Sequence, residues 1–107
     1  MSFEGDMSCF AHALLNTWDY HQKGYNVALI IEGASCERVR DVDQSPHAPL
    51  WQKIRDAGLV KAVCKACSAQ LGSLEKAEEE NLPIDSSLSG HVSLEPYSKE
   101  GFEFIVF

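Results

Sequence analysis

Tyr25–Ile31 reads YNVALII, apolar and β-branched after Asn26, without the alternation of a half-exposed strand. A strand with no polar face is covered on both sides, which is the habit of parallel sheets sandwiched between helices. Upstream, Met7, Phe10, Ala11, Leu14 and Trp18 recur at helical spacing, with Asp6 placed to cap the start and Gly24 after Lys23 to stop the helix. Downstream, Gly33–Gln44 is polar and irregular, with a short helix expected around Cys36–Val39. Pro49–Ala57 reads as a helix with proline in its first turn and Gly58 as its stop. Leu59–Val63 is the next expected strand, followed by helices over Lys65–Leu71 and, capped by Ser73, over Ser73–Glu80. Leu82–Ile84 is a brief strand, Ser93–Glu100 a helix stopped by Gly101, and Phe102–Phe107 a closing strand.

Strands alternating with helices over this length predict a three-layer α/β/α fold. The expected sheet is doubly wound, mainly parallel, of about five strands and flavodoxin-like in type. One domain spans residues 1–107, since no linker or low-complexity tract divides the chain. The first strand falls on Met1–Phe3, short against the usual five or so residues. A true start upstream of Met1 is the favoured explanation.

Composition narrows the function. Runs such as Val27–Ile31 are far shorter than the roughly 20 apolar residues that span a bilayer. Glu4 and Asp6 stand where a secretory signal would carry basic residues, so a cytoplasmic protein is expected. The net charge of −7 argues against nucleic acid and anionic membranes as partners. Neither G-x-G-x-x-G, nor a P-loop, nor G-x-S-x-G occurs, and no cofactor is expected.

The four cysteines carry the chemistry. Ser2–Cys9 (SFEGDMSC) and Ile30–Cys36 (IIEGASC) each run from an apolar stretch through Glu-Gly to Ser-Cys. Ala62–Ser68 (AVCKACS) places Cys64 and Cys67 at the exit of a third apolar run. If those runs are neighbouring parallel strands, the thiols meet at the sheet's carboxyl edge, where open α/β folds build their sites. In a reducing compartment such thiols serve catalysis or metals before disulfides. Cys64 and Cys67 form a C-x-x-C, a spacing that suits disulfide exchange or a shared metal ion. Cys9 in the first turn of a helix and Cys64 ahead of one are both expected in a field that favours thiolate, with Lys61 and Lys65 adding to it at Cys64. His91, in Ser89-Gly90-His91, follows the Leu82–Ile84 strand and reaches the same edge as base, proton carrier or ligand. His12 lies one turn beyond Cys9, facing site or solvent, while His21 and His47 read as surface residues. The competing reading of Cys9 and Cys36 is plain packing, since free cysteine is a common core residue.

The phrases EGDMSCFAHALLN (Glu4–Asn16), KGYNVALIIEGAS (Lys23–Ser35), AVCKACSAQLG (Ala62–Gly72) and SGHVSL (Ser89–Leu94) resemble the DsrE/DsrF-like family of small cytoplasmic sulfur-metabolism proteins. The likeness covers nearly the whole chain. It implies a doubly wound parallel sheet, a homo-oligomer, and a reactive cysteine after a central strand that accepts persulfide sulfur and passes it on. Cys64 matches that cysteine. The family does not generally use a C-x-x-C there, so Cys67, Cys9 and Cys36 make this site richer in thiols.

Three functions follow in order. The first is sulfur handling, with Cys64 attacking a donor persulfide, Cys67 resolving, Cys9 or Cys36 as a further stop, His91 moving protons, and donor or acceptor proteins as partners. The second is a zinc-type site on Cys9, Cys64 and Cys67 with His91 or Cys36. The third is a non-catalytic subunit of an assembly, its cysteines merely packed.

Overall fold

The computed structural model describes residues 1–107. Helix α1 spans Met7–Gln22; the Asp6 backbone is extended and its carboxylate accepts the Ser8 N–H at 2.7 Å. That bond satisfies one of the donors a helix start leaves unpaired. Phe10, Ala13, Leu14 and Thr17 are buried along one face, and the Thr17 hydroxyl donates to Ala13 O at 2.7 Å rather than remaining unpaired. Strand β1 is Leu29–Ile31, buried throughout. It is shorter than the expected Tyr25–Ile31. Tyr25 N–H still donates to Tyr20 O across the helix end, and Tyr25 and Asn26 are exposed. Apolar character marks a strand's interior, but a ladder needs a partner backbone, which here begins only at Leu29 and Val60.

After β1 comes a 3-10 turn over Gly33–Glu37, then helix α2 (Arg38–Asp41), a second 3-10 turn at Val42–Gln44, and α3 (Ala48–Asp56) with Pro49 in its first turn. Strand β2 is Val60–Cys64, followed by α4 (Lys65–Gln70), α5 (Leu74–Glu79), β3 (Ile84–Asp85) and α6 (Glu95–Lys99). The three strands run parallel in the order β1-β2-β3, with Ile31 beside Val63 and Cys64 beside Asp85. Parallel strands joined by helices make this an α/β protein, with three strands rather than the expected five. The reversal of strand order that defines a doubly wound sheet is not found among these three.

The two missing strands are reduced to single pairings. Ser2 forms a one-residue parallel bridge with Ile31, its N–H donating to Ile30 O at 2.8 Å while its carbonyl accepts Glu32 N–H at 2.9 Å. The buried Ser35 hydroxyl, 2.6 Å from Ser2 O, holds that segment in place. Phe107 donates its N–H to Met1 O and accepts from Phe3 N–H, yet Glu103–Val106 are exposed and irregular. Gly33 lets these segments approach: its φ is +60°, and a Cβ there would meet the Phe3 ring at 2.6 Å.

The core joins β1 and β2 to Phe10 and Leu14 of α1 and to Trp51 and Ile54 of α3. Phe10 and Trp51 are both fully buried, their rings 5.9 Å apart and tilted. Burying side chains of this size contributes roughly 1.5–3 kcal/mol each. Helices α2, α4 and α5 pack as a second group. No helix is long and apolar enough to cross a membrane.

Candidate thiol and imidazole site

The site grows from the end of β2. Cys64 closes the strand and, with extended backbone, serves as the N-cap of α4; its Sγ accepts the Cys67 N–H at 3.5 Å. Cys67 stands in the first turn of α4, so the C-x-x-C spacing wraps both sulfurs to one side. A tight hairpin brings in the third member. Leu88 and His91 exchange backbone hydrogen bonds at 3.0 and 2.9 Å across Ser89 and Gly90, which have φ of 51° and 94°. Positive φ at both central residues is the type I′ pattern. The turn is latched to α4 because Ala66 N–H donates to Gly90 O at 2.9 Å.

His91 Nδ1 therefore lies 3.2 Å from Cys64 Sγ and 3.7 Å from Cys67 Sγ. The three atoms all fall within 4.8 Å of one another. Cys64 is wholly buried, Cys67 half-buried and His91 exposed, so the cluster is a shallow surface site with Cys64 as its floor.

The other expected members stand apart from this trio. Cys36 is fully buried behind it, its S–H directed to Ile31 O at 3.6 Å and its Sγ 4.0 Å from Cys64 O. Cys9 and His12, on α1, do not join; Cys9 is half-buried and His12 exposed. The expected ligand set of Cys9, Cys64, Cys67 and His91 thus reduces to the last three. Topology explains the difference: Cys64 and Cys67 follow one strand directly, whereas Cys9 lies within a helix preceded by a single bridged residue rather than a strand.

The charge balance also differs from expectation. Burial pushes the Cys64 thiol above its ordinary value; the Cys67 N–H opposes this, while the neighbouring Cys67 thiol and the Glu32 carboxylate add to it. Helix α4 has only six residues, so few peptide dipoles align behind Cys64 and desolvation wins. Cys36 is pushed further, to about 12, again chiefly by burial. Lys61 and Lys65 are exposed.

Two acids flank the floor of the site: Glu32, which the sequence places in the loop shared with Cys36, and Asp85, which it does not single out. Glu32 follows Ile31, whose partner is Val63, and so sits level with Cys64; burial raises its pKa, His91 lowers it, and Asp85 raises it. Asp85 pairs directly with Cys64 across the sheet, and its carboxyl is held below the usual range by the Ser87 hydroxyl and N–H. The register of parallel strands is what reveals both residues, and no local motif encodes it. The hairpin was open to discovery, since Ser-Gly between short runs is a turn signal.

The largest groove, about 580 Å³, lies elsewhere, between Tyr25–Leu29 and the Glu100–Phe107 segment, with Ala13 and Thr17 at its base. No cysteine or histidine lines it. Convergent polar chemistry, not volume, identifies the site in this molecule.

Fold and site together define a small α/β protein with a surface dithiol–imidazole cluster. The chain belongs to the family of the uncharacterized protein MJ0733 of Methanocaldococcus jannaschii, to which it is 30% identical over 103 residues, 94% of this chain and 81% of that protein. An uncharacterized protein of Archaeoglobus fulgidus is 49% identical over 37 residues, 35% of this chain and the whole of that protein. No family model matches the chain. No solved structure matches it either.

Proposed function

We propose that this chain is a DsrE/DsrF-like carrier of sulfane sulfur, working through Cys67 and Cys64. The supporting observation is the grouping of both sulfurs with His91 Nδ1, 3.2 Å from Cys64 and 3.7 Å from Cys67. In this reading the flavodoxin-like sheet of the family is completed by the Met1–Phe3 and Phe102–Phe107 segments, and the protein works as a cytoplasmic homo-oligomer.

Accessibility sets the order of events. Cys67 is half-buried and Cys64 wholly buried, so an external persulfide meets Cys67 first. His91 takes the Cys67 proton, the thiolate attacks the terminal sulfur of the donor, and the donor's S–S bond breaks with its electron pair leaving on the donor thiolate. The imidazolium returns that proton to the departing donor thiolate, and the neutral ring then takes the Cys64 proton. The Cys64 thiolate attacks the terminal sulfur of the Cys67 persulfide and releases Cys67, which recovers a proton from His91. The sulfur atom moves twice with no net oxidation. Burial that disfavours a free thiolate at Cys64 also keeps water and competing thiols from the stored sulfur. An acceptor thiol reverses the path.

Mass spectrometry after incubation with a small persulfide donor tests this. Wild type gains one sulfur atom that survives removal of the donor. Cys67→Ser loads at least about tenfold more slowly, a loss typical of removing a positioned nucleophile or base. Cys64→Ser loads but does not retain. A wild type that gains no sulfur, or a Cys64→Ser variant that retains it equally, ends the proposal.

A further inference from the structure

We infer that Cys64, Cys67 and His91 form a three-ligand site for a thiophilic divalent cation of the zinc type, with one coordination position left open to solvent. This goes beyond sulfur transfer and stands on geometry. A tetrahedral zinc ion with sulfur at about 2.3 Å and nitrogen at about 2.0–2.1 Å sets its sulfur–nitrogen neighbours about 3.6 Å apart and its two sulfurs about 3.8 Å apart. The observed sulfur–nitrogen distances of 3.2 and 3.7 Å straddle that value, and the sulfurs lie within 4.8 Å of each other. The sulfur–nitrogen contacts need to move by only a few tenths of an ångström, through rotation about side-chain torsions.

The surroundings suit a resident ion. Cys64 is positioned by the strand end and by the Cys67 N–H, a backbone donor that orients its sulfur. His91 is fixed by a hairpin that is itself bonded to α4 through Gly90 O and Ala66 N–H. Ligation through Nδ1 requires the imidazole to keep its proton on Nε2, the neutral tautomer, and the exposed ring edge leaves that proton free to meet water. Binding releases two thiol protons to solvent. The two thiolates and neutral imidazole then cancel the charge of the divalent ion, so the buried Cys64 sulfur becomes part of a neutral unit.

Three ligands rather than four is the informative count. Closed tetrahedral sites built from cysteine and histidine are structural, whereas three protein ligands with a free position belong to sites that bind an exchangeable molecule. Cys67 and His91 border the solvent side, so the free position faces outward, open to water or to a small thiol. Cys36 lies on the inner side of Cys64, near its carbonyl, and does not supply the fourth ligand.

The test uses reduced, metal-free full-length protein titrated anaerobically with Zn²⁺ against a chromophoric chelator, with Co²⁺ as a spectroscopic replacement. Wild type is expected to bind one zinc per chain, and its cobalt form to show thiolate charge-transfer absorption and the intense visible bands of tetrahedral Co²⁺. Cys64→Ser, Cys67→Ser and His91→Ala each weaken zinc on the order of a hundredfold or more, since even outer-shell partners are worth 10–100-fold. Cys9→Ser leaves it unchanged. Far-ultraviolet circular dichroism separates lost ligation from lost folding, and His91→Cys, which restores a third soft ligand, keeps binding. The inference is overturned if wild type binds zinc no more tightly than Cys64→Ser, or if Cys9→Ser loses it equally. Persulfide uptake in the metal-free protein is read separately by mass, so failure here leaves the sulfur-carrier reading standing, and the reverse also holds.

Discussion

Cys36 and Cys64 are both thiols beside a sheet end, and both are held protonated by burial, Cys36 from 9.0 up to about 12. A folded state that keeps a proton which the unfolded chain gives up loses stability as pH rises. For Cys36 the contribution is complete below the ordinary value of 9.0 and is lost as pH climbs from there toward 12. The slope is at most about 1.4 kcal/mol per pH unit for one group. Urea unfolding of the metal-free protein at about pH 7 and about pH 10 is expected to show this fall, and Cys36→Ala to flatten it. An unchanged slope in Cys36→Ala would mean that the alkaline loss comes from other groups. The same burial fixes an order of reaction at neutral pH: Cys9 and Cys67 alkylate first, while Cys64 and Cys36 wait for local opening. Peptide mapping of a short iodoacetamide pulse checks it.

Among the elements, the hairpin of Leu88–His91 has no core of its own, yet it decides whether a cluster exists. Its two central residues respond oppositely to substitution. Gly90 has φ of +94°, and a Cβ there would lie 3.3 Å from Ala66 Cβ, at the point where the turn meets α4. Gly90→Ala is expected to cost about 1–2 kcal/mol of stability and to weaken zinc binding by moving His91. Ser89, at φ of 51°, already bears the strain of a left-handed conformation, so Ser89→Gly is expected to be neutral or stabilising by up to about 1 kcal/mol, with zinc binding retained. Chemical denaturation and zinc competition on the two variants read both signs. Legibility differed between elements for related reasons. Asp6 with α1, Pro49 with α3, and the β2-to-α4 passage carry local signals (caps, breakers, periodicity), and the sequence reading located them within about two residues. The strands at Tyr25–Ala28 and Phe102–Val106 were over-read because apolar runs state what a strand would bury, not whether a backbone lies beside it. At the site, Cys64, Cys67 and His91 were legible from spacing and order along the chain. Glu32 was legible only as a companion of Cys36 in its loop and Asp85 not at all, because only the register across β1, β2 and β3 makes them neighbours of Cys64.

For the molecule as a whole, two helix groups must be tied to one small sheet, and Trp51 is a principal tie. Its ring is wholly buried against Phe10, and its indole N–H donates to Glu80 Oε2 at 3.3 Å. Glu80 follows α5, is almost fully covered, and is shared by Lys76 at 3.4 Å and Arg55 at 3.6 Å, while Lys76 also reaches Asp43 at 3.2 Å. One side chain thus joins the apolar packing of α1 and α3 to a buried acid at the end of α5. Exposed pairs such as Lys23–Asp19 contribute little, but removing a partner from a covered carboxylate leaves part of its desolvation cost uncompensated. Trp51→Phe keeps the aromatic contact, deletes the indole donor and leaves a small void, so a loss of about 2–3 kcal/mol is expected. Neither Trp51 nor Glu80 belongs to the trio of Cys64, Cys67 and His91, and the two groups share no hydrogen bond or ion pair. Groups that share no polar partner couple only through the packing between them, here the one core cluster that holds both Trp51 and Cys64. Trp51→Phe, which keeps the aromatic contact, should therefore lower the midpoint of urea unfolding while the folded protein still binds one zinc with wild-type affinity. Zinc affinity that falls along with stability would show that the site draws its geometry from the whole core rather than from β2, α4 and the hairpin alone.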